Sequence, residues 1–588
     1  MSEGKKHYLD IGEQYYSGAD GTLYFVEPIL KDGEIIGQSE KAIANHSPIL
    51  KEQRITDNGI EQIEELVFNV RRNYQNSGNI AVSLKEILSQ TPTLKFGAAC
   101  RIFLGKGYKS RYSEAMQIQC ENAPVSTLYQ RTGYTTIDGK RVFLNGDYSI
   151  TAEGLTDKYN VAFSGQLSNY RFTADRHENR FETLLKLLPS TAPQSLVYAG
   201  LGLSFLTPLN ALLREVGIEP CFILYFTGKT GTRKTTMAKL LLNFFGSFDN
   251  GTAPPAGFRD TANAVEKKFA LTDSTLVLLD DRIPSTTPKV KAQMEAMEQS
   301  VARQIGDRSG RARMNADGSL KPTYRPNCNL IITAEESFSN VGESAIARSI
   351  SVELEPGDVN LNALTEVQER AAHLNECMGD YIQYILQNWE TLQATLKPLF
   401  LEYRNKAQSG GHGRLAECVA HLQIGIYTMC EWLQSVDVLG ERQAGEMKSR
   451  SWAIFMELAE RQNRRIADEK PVKLFLDAIK ELRDRKIIRF MSIDANTDYA
   501  GVSTVGFTDD EFYYCYPDSI YSEVRKFYAA QDKSFPLGKG AIFQQLATEG
   551  IIETDKGQTT KAKRINGKRS RFLWIRAAAL DNEEDIEE

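Results

Sequence analysis

The segment that most restricts what this chain can fold into is CFILYFTGKTGTRKTTMAKLLLNFFG, residues 221–246. Residues 221–226 form a short apolar run suited to a buried strand. A glycine-bearing loop follows, and then the start of an amphipathic helix. The loop Gly228-Lys229-Thr230-Gly231-Thr232-Arg233-Lys234-Thr235 matches the pattern G-x-x-x-x-G-K-[ST] except at Arg233, where the last glycine usually stands. Small residues let backbone N–H groups turn inward around phosphate oxygens, and the helix N-terminus adds the positive end of its dipole. Lys234 is then placed to reach the β- and γ-phosphates of ATP, and Thr235 to ligate Mg²⁺. Gly228, Thr230, Gly231, Thr232, Arg233 and Thr236 complete the expected nucleotide contacts. The competing reading is a basic turn that opens a helix and binds nothing.

A loop of this kind calls for an acidic strand downstream, and Thr-Leu-Val-Leu-Leu-Asp-Asp, residues 275–281, supplies one. Burying two carboxylates is costly unless a metal or hydrogen bonds compensate. Asp280 suits the magnesium shell, and Asp281 suits polarising the attacking water. A further strand, Asn329-Leu330-Ile331-Ile332-Thr333, ends in a hydroxyl that could touch the γ-phosphate. Thr333 is therefore the first-sensor candidate, with a plain strand-ending threonine as the alternative. Arg348, among small residues in SAIARSI, could reach into a neighbouring subunit's site and stabilise transition-state charge. Arg414, opening RLAECVAHL, is a second-sensor candidate or a solvated first-turn arginine.

Around this core the chain divides by pattern. Residues 1–185 are strand-rich, with alternating stretches such as LYFVEPIL and MQIQC and the hairpin signal Asp138-Gly139. From 186 to 375 strands alternate with helices, as in a parallel α/β sheet. Residues 376–465 are helical. The last segment, 466–588, begins helical and ends in short strands. No apolar run of about 18 residues suggests a membrane span, and MSEGKKHYLDIGEQYYSG lacks a secretory h-region. Eight scattered cysteines, none in a Cys-x-x-Cys pair, point to reduced thiols in or near cores.

A net charge of −6 excludes a chain coated in basic charge, so local clusters carry any nucleic-acid reading. Residues 301–327 hold six basic and two acidic residues. Their Asp317-Gly318 turn, flanked by Arg311, Arg313 and Lys321, predicts a basic β-hairpin able to touch DNA phosphates. Residues 556–576 hold eight basic residues and no acidic one. Two predicted helices, SIYSEVRKFYAAQ and GKGAIFQQLATEGIIE, precede a hairpin around Asn566-Gly567. Helix, helix, basic hairpin is a winged-helix pattern, with Lys563, Arg564, Lys568 and Arg569 as DNA-contact candidates. The acidic tail DNEEDIEE reads as a solvated end.

The ordered set GKTGTRKTT, LVLLDD, the basic turn NADGSL, NLIITAE and SAIARSI resembles the replication helicases of bacterial mobile elements. These include those of staphylococcal cassette chromosome elements and prophages, a family related to the minichromosome maintenance (MCM) helicases. YQRTGYTTIDGKRVFL is similar to its N-terminal region, where a TG-aromatic motif precedes a DG hairpin. The resemblance spans roughly residues 20–425. It implies an AAA+ core, so with the patterns above the expected fold is multidomain α/β, with a strand-rich N-terminal region (1–185), an AAA+ core (186–375), a helical lid (376–465) and a C-terminal winged helix (466–588). It further implies a hexamer acting on single-stranded and forked DNA in the bacterial cytoplasm, with ATP and Mg²⁺, beside a separate primase or polymerase. Arg233, and Asp281 in place of the usual glutamate, depart from that pattern and put the hydrolysis rate in question. A DNA-binding initiator or loader that does not unwind shares every one of these motifs.

Overall fold

The computed structural model describes residues 7–581 except 90–92, 284–286, 336–345, 409–412, 469, 494–502, 532 and 566. The acidic tail from residue 582, Asn566 of the C-terminal turn, and Ser344 and Ala345 of SAIARSI lie outside the described residues. The protein is a mixed α/β chain with three main hydrophobic clusters, running from Ile11 to Met116, Phe143 to Ile466, and Val472 to Leu580.

The central cluster is built on a parallel sheet. We label its strands β1 (Ile223–Thr227), β2 (Ala256–Gly257), β3 (Leu276–Arg282), β4 (Asn329–Ala334) and β5 (Ser349–Glu353). Their spatial order is β2-β3-β4-β1-β5, and every pairing is parallel. Sheets of this type are covered on both faces, which is why β1 and β4 are apolar along their length. Helix α1 (Gln194–Leu206) and helix α2 (Lys234–Leu242) bury aliphatic residues against the sheet, and the later helix α3 (Gly413–Ser435) packs on α1. Where α1 and α3 cross, backbone meets backbone. A Cβ on Gly425 would lie 2.0 Å from the Gly202 carbonyl oxygen, so only glycine allows the approach.

The stretch Gln194–Glu215 corrects one expectation. It is 22 residues long with a mean hydropathy of 1.6, so by length and composition it could cross a membrane. Ser204, Thr207 and Asn210 interrupt its apolar run in the sequence. Here 94% of the tested window is buried inside the protein, as a core helix would be.

The N-terminal part is strand-rich, with antiparallel hairpins and two parallel pairings, Ser47–Asp57 with Val125–Tyr129 and Val125–Tyr129 with Asn160–Val161. Lys140 pairs with Ile137 across Asp138-Gly139, both at positive φ, which is the geometry a DG turn favours. MQIQC is not a strand. It closes the helix Tyr108–Gln117 and the following 3-10 turn, because Tyr112, Ala115 and Met116 bury one face at helical spacing. The TG-aromatic motif fastens this region to the turn before β3. The Thr132 N–H donates to the Leu271 carbonyl at 2.9 Å, and its hydroxyl to that of Asp273 at 2.8 Å. Gly133, at φ 91°, allows the close pass, and the Tyr134 ring packs on Phe143 and Trp389.

The C-terminal part holds helices Pro517–Ala529 and Lys539–Thr548, followed by the hairpin Lys561–Ile565 and Lys568–Arg576. All eight cysteines are free thiols, and five of them are buried.

Candidate functional site

The loop between β1 and α2 sits at the C-terminal end of the parallel sheet, where strand ends and helix N-termini converge. Its backbone needs left-handed conformations at three places: Gly228 (φ 143°), Gly231 (φ 92°) and Arg233 (φ 67°). At Gly228 a Cβ would meet the Leu354 carbonyl oxygen at 2.2 Å. Arg233 thus adopts the backbone state a glycine would hold there, at a cost of about 1–2 kcal/mol, with its side chain exposed. Lys234 is 9% exposed and turns back onto the loop, donating to the carbonyls of Gly228 and Lys229 and to the Thr232 hydroxyl. Burial lowers its pKa, with Glu335 and Asp280 opposing the shift.

Both expected carboxylates stand at the end of β3. The strand register breaks between Leu279 and Arg282, and Asp281 takes φ 72°. This kink directs the two side chains differently. Asp280 Oδ1 accepts from the Thr235 hydroxyl at 2.8 Å and from the Thr333 hydroxyl. Asp281 is half exposed, 3.9 Å from the Arg259 guanidinium. Thr333 is 2% exposed, and its Oγ1 also accepts from the Asp281 N–H at 3.2 Å. It therefore braces the acidic pair from the neighbouring strand. A cleft of about 220 Å³ opens over this group, lined by Thr230, Gly231, Arg233 to Thr236, Asp281 to Ile283, and Thr333 to Glu335. The Thr235 and Asp280 oxygens converge as hard oxygen donors for a magnesium ion should. Glu335 was not singled out from the sequence. Its carboxylate accepts from the Thr230 hydroxyl across the cleft, and its only sequence signal was its place two residues after Thr333.

Arg348 and Arg414 are brought together, but elsewhere. Arg348 immediately precedes β5, and its carbonyl accepts from the Ile223 N–H at the start of β1. The two arginines line one cavity of about 200 Å³ with Glu219, Gly306, Glu417 and His421. Arg348 is ion-paired to Asp307 at 2.7 Å. This cavity lies at the opposite end of β1 from the loop. Five residues at about 3.3 Å each separate them by about 16 Å, beyond the reach of an arginine side chain on the same chain.

The DNA candidates divide in the same way. No two-stranded hairpin forms over 309–325. A single bridge, Met314 to Leu320, closes a turn, since Pro322 and Pro326 cannot donate to a ladder and no third strand supports the arms. Arg311 and Arg313 both pair with Glu266, which is 1% exposed, whereas Lys321 is exposed. In the C-terminal hairpin, Lys563 lies 3.8 Å over the Tyr514 ring and 3.2 Å from Asp509. Arg564, Lys568 and Arg569 are exposed.

No protein-family model matches the chain, and no curated protein matches it in sequence. A solved structure described as the active helicase Cch of SCCmec type IV superposes with a TM-score of 0.62 at 13% identity, covering 97% of this chain and 99% of that one. The chain has the fold of that helicase. A solved JCV helicase aligns over 47% of the chain and 74% of its own, also at 13% identity, but its TM-score of 0.20 is too low to bear on the fold. At 97% coverage the match to Cch extends past the roughly 20–425 over which motifs could be recognised.

Proposed function

We propose that this protein is an ATP-driven DNA helicase or translocase that works as a ring of identical subunits, hexameric by the family resemblance, in the replication of a mobile element. The parallel sheet with its loop and acidic strand is its AAA+ core, the helices from 371 to 468 its lid, and the two helices and basic hairpin at the C-terminus its winged helix. One observation carries the reading. The Gly228–Thr235 loop and the Asp280 pair sit at one end of the sheet, while Arg348 and Arg414 sit together at the other. A chain built this way offers a nucleotide site on one face and paired guanidiniums on another. Head-to-tail packing lets each subunit complete the site of its neighbour, and such packing forms a ring where the rotation between subunits closes.

Within the site, Lys234 exchanges its loop carbonyls for β- and γ-phosphate oxygens, and the loop N–H groups hold the rest of the triphosphate. Magnesium, held by Thr235 and Asp280, would supply charge neutralisation between those phosphates. Arg348 and Arg414 of the adjacent subunit stabilise the charge that develops as the terminal phosphoryl group leaves. Lys321, Arg564, Lys568 and Arg569 hold DNA through its phosphates, without reading sequence.

Strand displacement on a forked duplex tests the proposal. The parent should separate the strands only with ATP and Mg²⁺, and Lys234→Ala should not. ATP-dependent DNA binding without displacement would make the protein an initiator or loader instead.

A further inference from the structure

ATP-hydrolysing motors commonly orient the attacking water with a carboxylate, and three carboxylates stand near the cleft. Asp280 is committed, since one of its oxygens already accepts from both Thr235 and Thr333. Asp281 is one methylene shorter than the glutamate that usually serves, and although it lines the cleft it is half exposed and 3.9 Å from the Arg259 guanidinium. Glu335 differs from both. Its N–H donates to the Arg282 carbonyl at 3.1 Å, which ties it to the strand end that carries the acidic pair. Its carboxylate reaches the Thr230 hydroxyl at the loop tip, which that of Asp281 does not, and like Asp281 it lines the cleft with Lys234.

Resting on the ATPase reading above, we propose that Glu335 is the general base for hydrolysis and that Asp281 orients the site. Bonded to the Thr230 hydroxyl, the Glu335 carboxylate stands at the side of the loop from which a γ-phosphate would approach. Two anions repel at that position, so the triphosphate displaces the carboxylate from Thr230 and leaves it beside the γ-phosphate, where it can accept a proton from the attacking water. The water oxygen then bonds to the γ-phosphorus, and the bond from that phosphorus to the bridging oxygen breaks. Its electron pair leaves on the β-phosphate, and the water proton passes to a Glu335 oxygen. The products are ADP and inorganic phosphate.

The test uses the full chain with Glu335→Gln, Glu335→Asp and Asp281→Asn. Binding of a fluorescent ATP analogue with Mg²⁺ is measured separately from single-turnover hydrolysis. Glu335→Gln keeps the side-chain shape and the acceptor for Thr230 while removing the charge. It should bind nucleotide at least as tightly as the parent and hydrolyse about 10²–10⁴ times more slowly. Glu335→Asp, which keeps the carboxylate, should restore part of the rate. Hydrolysis by Glu335→Gln within about threefold of the parent, with Asp281→Asn inactive, would assign the base to Asp281. That result overturns this inference and leaves the ATPase reading intact. Binding that fails together with hydrolysis would make Glu335 a support for the loop and also overturn it. A parent that binds no nucleotide removes the ATPase reading itself.

Discussion

The two arginines before β4 test whether a basic cluster read from sequence is a DNA contact or part of the protein's own framework. Arg311 and Arg313 converge on Glu266, whose side chain is 1% exposed, while their own are 48% and 25% exposed. Removing one partner of a buried pair costs about 3–5 kcal/mol, because it strands a charge in low dielectric. With two guanidiniums sharing one carboxylate, and both partly solvated, we expect about 1–2 kcal/mol for Arg313→Ala alone and about 3 kcal/mol for Arg311→Ala with Arg313→Ala. The chain has several cores and will not unfold in one step, so hydrogen exchange of 262–271 and 309–325 is the fitting assay. At about tenfold per 1.4 kcal/mol, the double variant should exchange roughly 10²-fold faster there. Adding Glu266→Gln should recover most of the protection, since the stranded charge is gone. Exchange unchanged in the double variant, or no recovery in the triple, would refute the argument. DNA binding of the triple variant, with its fold restored, then reports any direct role of the arginines.

Gly228→Ala should abolish nucleotide binding while leaving the far C-terminal core folded, because its Cβ would sit 2.2 Å from the Leu354 carbonyl oxygen; calorimetric titration with ATP and Mg²⁺ checks this. Mixing Arg348→Ala with Lys234→Ala subunits should restore part of the ATPase activity, and no rescue in mixed rings would place Arg348 outside the neighbour's site. Lys321→Ala should weaken DNA binding across all sequences and lower the salt slope by about one unit, read by fluorescence anisotropy at several salt concentrations. Loss of hydration holds the buried His46 and His421 at about 4, with Arg72 adding to the shift at His46 and two backbone carbonyls opposing it at His421. The unfolded chain protonates near 6.5, so their contribution to stability is whole above that pH and drains away as pH falls toward 4. The melting transitions of the N-terminal and central cores should move to lower temperature across that window, that of the central core less steeply in His421→Gln.

Local rules account for what could be read from sequence. The loop between β1 and α2, the pair Asp280 and Asp281, the Asp138-Gly139 turn and the C-terminal hairpin each rest on a backbone state or a short periodicity that adjacent residues dictate. The fold match to Cch agrees with the resemblance those motifs carried. MQIQC misled because five residues fit either period, and the burial of Tyr112, Ala115 and Met116 on one face decided for helix. Gln194–Glu215 misled in the opposite sense, since a few hydroxyl and amide groups hid a helix apolar enough to be a core element.

Charge partners lay beyond the sequence because ion pairs form between residues brought close only by folding. Glu266 is 45 residues from Arg311 and 47 from Arg313, and nothing local marks it as the buried acceptor of both. Glu335 and Thr230 are 105 residues apart, yet they face each other because β4 lies beside β1. Arg348 and Arg414 share a cavity because β5 and α3 begin at the same end of the sheet. The sequence marks the residues proposed to bind phosphate and hold a metal, and those that turn the chain. The tertiary structure alone decided which charges remain available, because a side chain's partners are set by the order and direction of strands, and these follow from packing the whole core.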